Sequence, residues 1–133
     1  MSKDLDFPPE FRSETEVVAI DFDGVIHNDY KGFADGSLYG PVIAGTREAL
    51  SLISQTHQIV IFTAKARSDR PKFEGKTGEE LVWEWLDKND LKHFVHEVTA
   101  TKPRAHVYID DKAIQFKDWR TTINALKEQF KIK

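Results

Sequence analysis

Asp21 and Asp23 stand two residues apart at the end of a short apolar run, and Asp110 and Asp111 stand side by side at the end of another. Thr63 closes a third run. If the chain carries those ends to one edge, the carboxylates converge and repel. A pair about 4 Å apart costs on the order of 4 kcal/mol at an effective dielectric of about 20. Such a cluster calls for a cation. With oxygen ligands alone a hard ion fits, and Mg2+ suits a site that keeps waters and also holds a substrate phosphate. Asp21, Asp110 and Asp111 are the candidate side chains around it.

Phosphoryl transfer needs an in-line nucleophile, neutralisation of the equatorial oxygens and protonation of the leaving group. A carboxylate can serve as the nucleophile and form an aspartyl-phosphate. In an ideal strand Asp21 and Asp23 would share a face, but Gly24 lets the chain turn there. One carboxylate can then reach phosphorus while the other reaches the leaving oxygen. Thr63 can donate a hydrogen bond to a phosphoryl oxygen, and Lys102 can bring positive charge from the loop before the last run.

The elements that must position these groups are legible. Val17-Val18-Ala19-Ile20 precedes Asp21, and its β-branched residues predict a buried strand. Residues 58–63 and 105–110 repeat the pattern, and residues 94–98 give a weaker fourth candidate. Between them, residues 44–55 place Ala49, Leu50 and Ile53 on one helical face. Thr77 and Glu80 form a capping-box pair, so a helix starts near residue 78 and carries Leu81, Val82, Trp85 and Leu86. Asp118 can cap a last helix with the stripe Trp119, Ile123, Leu126 and Phe130. Continuous apolar strands alternating with helices predict a three-layer α/β/α sandwich with a mostly parallel central sheet. Ligands bind such sheets outside the carboxyl ends of the strands, where the acids and Thr63 would lie.

The set resembles the haloacid dehalogenase (HAD) superfamily of phosphohydrolases. The resemblance rests on Ile20-Asp21-Phe22-Asp23-Gly24-Val25, Ile61-Phe62-Thr63, Lys102 and Tyr108-Ile109-Asp110-Asp111, in the family's order. It implies Asp21 as nucleophile, and Asp23 as general acid and then base for the attacking water. It implies Thr63 and Lys102 as phosphate binders. The metal would be held by Asp21, the backbone carbonyl of Asp23 and Asp110, with Asp111 in support. Lys65 is a second lysine near Thr63. Lys102 is preferred because Thr101-Lys102-Pro103 precedes the Asp-Asp strand as in the family. Candidate substrate contacts are Gly24, Thr63, Lys65, Arg67 and Lys102.

Only 39 residues separate Asp23 from Thr63 and 30 separate Thr63 from Phe94, so neither gap holds an inserted cap domain. The expectation is a small capless member: an arm over residues 1–15 and one catalytic domain over 16–133. An open site suits a bulky substrate, such as a polymer end, or completion by a homo-oligomer. The implied activity is Mg2+-dependent hydrolysis of a phosphomonoester: a sugar phosphate, a nucleotide or a polynucleotide 3′-phosphate. Ile109-Asp110-Asp111-Lys112 loosely resembles the phosphatase part of polynucleotide kinase-phosphatases. Two rivals remain: a phosphorelay receiver-like switch, and a catalytically idle binding protein with the same fold. The receiver ranks lower because its acidic pair lies at the first strand and its phosphoacceptor at the third.

Bulk composition narrows the rest. With 40% hydrophobic and 31% charged residues, the chain has material for a core. It has no cysteine, which removes disulfides and thiolate chemistry. No apolar run is long enough to span a membrane and the N-terminus has no apolar signal region, so a cytoplasmic location is expected by default. The net charge of -3 gives no basic footprint for nucleic acid. The stretch Lys65, Arg67, Arg70, Lys72 and Lys76 could hold a second phosphate or a nucleic-acid backbone, with a solvated face as the plainer reading. The loop 27–40 reads equally as a flap over the leaving group or as a surface loop pinned by Tyr30, Phe33 and Tyr39. His27 reads as a loop residue rather than a catalyst. His93 and His96 lack a third zinc ligand.

Overall fold

The computed structural model describes residues 16–32 and 37–130. The expected arm over residues 1–15 lies outside them, as does the Phe33 part of the 27–40 loop. The chain builds a mixed α/β fold with a four-stranded parallel sheet and three helices, compatible with a Rossmann-like sandwich. The elements run β1 (Val17–Asp21), α1 (Thr46–Ser54), β2 (Gln58–Phe62), α2 (Gly78–Lys88), β3 (Val95–Thr99), β4 (Val107–Ile109) and α3 (Trp119–Phe130). Short 3-10 turns, Ala64–Ala66 and Lys92–Phe94, follow β2 and precede β3.

The strand order is β3-β2-β1-β4, every neighbouring pair being parallel. From β1 the chain steps to β2 and β3 on one side, then returns to place β4 on the other. The order therefore reverses at β1, and in open parallel sheets the crevice at such a reversal is where ligands bind. Register fixes what faces that crevice. Asp21 pairs with Phe62 and Ile20 pairs with Ile109, so Asp21, Thr63 and Asp110 all reach the same edge.

Alternation along the strands sorts the two faces. Val18, Ile20, Ile59, Ile61 and Val98 join Leu50 of α1 and Val82, Trp85 and Leu86 of α2 in one buried cluster. Both helices thus cover the same face. On the opposite face Phe62 and Tyr108 meet edge to face, and the Tyr108 hydroxyl donates to the Pro103 carbonyl at 2.6 Å. That face carries the 100–106 connection. Helices on both faces are the expectation from sequence; α1 and α2 cover one face.

Local chemistry explains the helix starts. Thr77 Oγ1 accepts from the Glu80 N–H at 3.1 Å, and Glu80 Oε1 accepts from the Thr77 N–H at 2.9 Å. This reciprocal pair satisfies two amides that a helix start leaves open. Asp118 Oδ1 accepts from the Thr121 N–H at 2.8 Å, a one-way cap at the start of α3. The α3 stripe departs from expectation. Trp119 is 68% exposed and Ile123 is 44% exposed, and Trp119 packs edge to face on Phe116.

The core cluster sets stability. Ile61→Ala, at a fully buried β2 position, is expected to lower unfolding free energy by about 2–5 kcal/mol in urea titration. Leu52→Ala, on the exposed side of α1, is expected to stay within about 0.5 kcal/mol of wild type. Equal losses would mean that the cluster does not carry the fold.

Candidate active site

The β1 end turns sharply. The N–H groups of Ile26 and His27 both donate to the Phe22 carbonyl, at 2.9 and 3.0 Å, and the Gly24 N–H donates to the His27 carbonyl at 2.9 Å. Gly24 has φ 86°, a left-handed conformation that favours glycine. A Cβ there would also lie 2.2 Å from Asp111 Oδ2. Glycine at 24 therefore lets the turn approach the Asp110-Asp111 segment.

Asp21, Asp110 and Asp111 each offer an oxygen within 4.8 Å of the others. This is the one grouping of three or more metal-ligating side chains among the described residues. Its all-carboxylate donor set fits a hard divalent cation such as Mg2+. Burial pushes the Asp21 carboxyl up to about 6, and the charges of Asp110, Asp111 and Asp23 add to the rise. The Phe22 N–H, 2.8 Å from Asp21 Oδ1, works the other way and fixes the carboxylate's rotation.

Asp23 is held quite differently. Its Oδ1 accepts from His27 Nδ1 at 2.8 Å, and its Oδ2 lies 3.0 Å from Lys65 Nζ. Burial opposes its charge, but the bonds from His27 and Lys65 outweigh burial and hold its carboxyl below the usual range. Two carboxylates two residues apart are thus driven in opposite directions.

Thr63 is buried. Its N–H donates to the Thr99 carbonyl at 2.9 Å, and its Oγ1 accepts from the Lys65 N–H at 3.2 Å. The 3-10 turn that begins there curls Lys65 back toward the β1 edge. The two candidate lysines separate clearly. Lys65 meets Asp23, whereas Lys102 Nζ sits 4.4 Å from the Tyr108 ring centre and 6.0 Å from that of Phe62. The preference for Lys102 in the sequence is not matched by its contacts: a cation settles on the negative face of an aromatic ring, and Tyr108 holds this one.

Arg67 forms a two-pronged pair with Asp69, at 3.0 and 2.6 Å, which turns its guanidinium to a neighbour. Lys76 pairs with Glu84. With Lys65 on Asp23, three cations of the basic stretch therefore face acids of this same chain. His93 lies by Asp90, outside the carboxylate group. No helix among the described residues is long and apolar enough to cross a membrane.

Two features escape a reading of sequence alone. Lys112 sits at the acidic edge, with Nζ 3.2 Å from Asp111 Oδ2 and its N–H 2.7 Å from Asp110 Oδ1. His27 is fully buried and bonded to Asp23. Its spacing of four from Asp23 was the available signal, though only the turn brings the rings and carboxylate together.

The raised Asp21 value carries a sign for stability. The folded chain binds more protons than the unfolded one between roughly pH 4 and pH 6, so this group's contribution to stability falls as pH rises through that window. Above it the deficit is complete. In EDTA, Asp21→Asn is expected to melt several degrees above wild type at neutral pH, with the gap closing toward roughly pH 4. Mg2+ is expected to raise the wild-type melting temperature and not that of the variant. A variant that melts with wild type at every pH would contradict the electrostatic reading. Compared with protein-family models, curated proteins and solved structures, the chain finds no significant match.

Proposed function

We propose that this protein is a Mg2+-dependent phosphomonoesterase of the HAD type, small and without a cap domain, working through an aspartyl-phosphate on Asp21. The observation that carries the reading is the pairing of opposites at the β1 end. A carboxylate trio within 4.8 Å stands beside Asp23, whose two oxygens are held by His27 and Lys65. A bare structural turn has no use for either arrangement.

Asp21, Asp110 and the Asp23 carbonyl, with Asp111 in support, would hold the cation, which would supply positive charge against the phosphoryl oxygens and relieve the repulsion among the acids. Asp21 attacks phosphorus with its carboxylate. The bond from phosphorus to the ester oxygen breaks, and Asp23 gives that oxygen its proton. A water then attacks the aspartyl-phosphate, Asp23 takes the water's proton, and Asp21 is restored as phosphate leaves. Thr63 donates to a phosphoryl oxygen. Lys65 supplies the nearby ammonium. A bound phosphate adds negative charge beside Asp23 and competes for Lys65, and both effects raise the Asp23 value toward that of a working acid.

The substrate class is a sugar phosphate, a nucleotide or a polynucleotide 3′-phosphate, and the expected location is the cytoplasm. The deciding assay is hydrolysis of p-nitrophenyl phosphate with Mg2+ and with EDTA. Activity is expected only with Mg2+ and is expected to vanish in Asp21→Asn. Lys65→Met is expected to lower kcat at least about tenfold, and Lys102→Met by less. Full activity in Asp21→Asn would overturn the mechanism. A long-lived phosphorylated Asp21 without turnover would point to a receiver-like switch.

A further inference from the structure

We propose that His27 is a positioning residue that aims Asp23 through a single fixed ring tautomer. This rests on the reading of Asp23 as the acid and base of a phosphatase. A fully buried imidazole is costly unless both ring nitrogens are bonded. Here both are. The Gly40 N–H donates to Nε2 at 2.9 Å, so Nε2 must present a lone pair. The ring proton therefore sits on Nδ1, where it is donated to Asp23 Oδ1 at 2.8 Å. An amide thirteen residues along the chain thus sets which nitrogen faces the acid.

The ring cannot turn to change this. Phe22 stacks on it with centres 5.3 Å apart and planes 3° from parallel, while Trp85 and Tyr39 meet it edge to face at 5.4 and 5.3 Å. Gly40 is fixed as well. Its carbonyl accepts from Trp85 Nε1 at 3.1 Å, and a Cβ at this position would fall 1.8 Å from the Asn28 carbonyl oxygen. The result is a continuous line from α2 to the site: Trp85, Gly40, His27, Asp23.

This line has a chemical consequence. Asp23 Oδ1 is tied to a ring that cannot move, whereas Oδ2 is tied to the ammonium of Lys65, which a bound phosphate draws away. Oδ2 is therefore the oxygen that carries the proton to and from the reaction. An apolar residue of similar size would fill the same space and leave the carboxylate held on its Lys65 side alone.

Two isosteres separate the two bonds. In His27→Asn the amide nitrogen takes the place of Nδ1 and keeps the bond to Asp23. In His27→Gln the amide oxygen takes the place of Nε2 and keeps the bond from Gly40. Each is assayed on p-nitrophenyl phosphate, whose leaving group needs little protonation, and on glycerol 2-phosphate, whose leaving group needs much. His27→Gln is expected to lose about tenfold or more in kcat on the glycerol ester beyond its loss on the aryl ester, with KM little changed. His27→Asn is expected to recover most of that difference. Equal losses on both esters, or no recovery with Asn, would overturn the proposal while leaving the phosphatase reading intact. A wild type that hydrolyses neither ester with Mg2+ would overturn both. Nitrogen-15 NMR of the unmutated protein gives an independent reading should the variants fail to fold. An Nδ1–H signal is expected, and an Nε2–H tautomer would overturn the proposal.

Discussion

Mutual repulsion among Asp21, Asp110 and Asp111, gathered within 4.8 Å of one another, is the constraint that organises this end of the molecule. Such a group is unfavourable on its own, and its charges add to the rise that burial gives the Asp21 carboxyl. It persists because the elements beneath are not free to move apart. Asp21 is the last residue of a strand buried between β2 and β4, and the Asp110-Asp111 segment follows β4 directly. The ladder of β1 with β4 sets the distance, and the Gly24 turn closes it.

A second, opposite constraint sits two residues on. Asp23 is surrounded by donors and stays ionised more readily than an ordinary carboxyl. Desolvation acts on both acids, so the contrast comes from partners: other carboxylates around Asp21, His27 and Lys65 around Asp23. These surroundings favour a protonated Asp21 and an ionised Asp23, the reverse of what the proposed nucleophile and acid require. The proposed roles therefore depend on a cation beside Asp21 and a phosphate beside Asp23 to bring both values back.

The hydrophobic core and the site are one construction. Phe22, between the two acids, is fully buried, stacks on His27 and meets Trp85 edge to face. Trp85 belongs to the α2 face that covers β1 and β2, and its indole nitrogen reaches the Gly40 carbonyl. Packing at the centre of the domain therefore sets the orientation of a carboxylate at its edge. At the other extreme, Trp119 and Ile123 of α3 keep much of their surface in solvent, and the pattern that predicts a buried stripe there is met only in part.

The sequence by itself determined the strands, the α2 start and the edge at which Asp21, Thr63 and Asp110 gather, because apolar runs, a capping box and strand-end acids are written in adjacent residues. It did not determine which lysine meets Asp23. Lys65 and Lys102 are both plausible by position, and the choice depends on a 3-10 turn and on the Tyr108 ring lying where Lys102 could rest on it. Nor did it reveal His27, which in a string of loop residues looks solvent-facing. Its role depends on Gly40 and Trp85, thirteen and fifty-eight positions further along the chain. Such bonds form only when the fold brings distant backbone and rings within about 3–5 Å, a matter of tertiary packing that no local pattern of residues encodes.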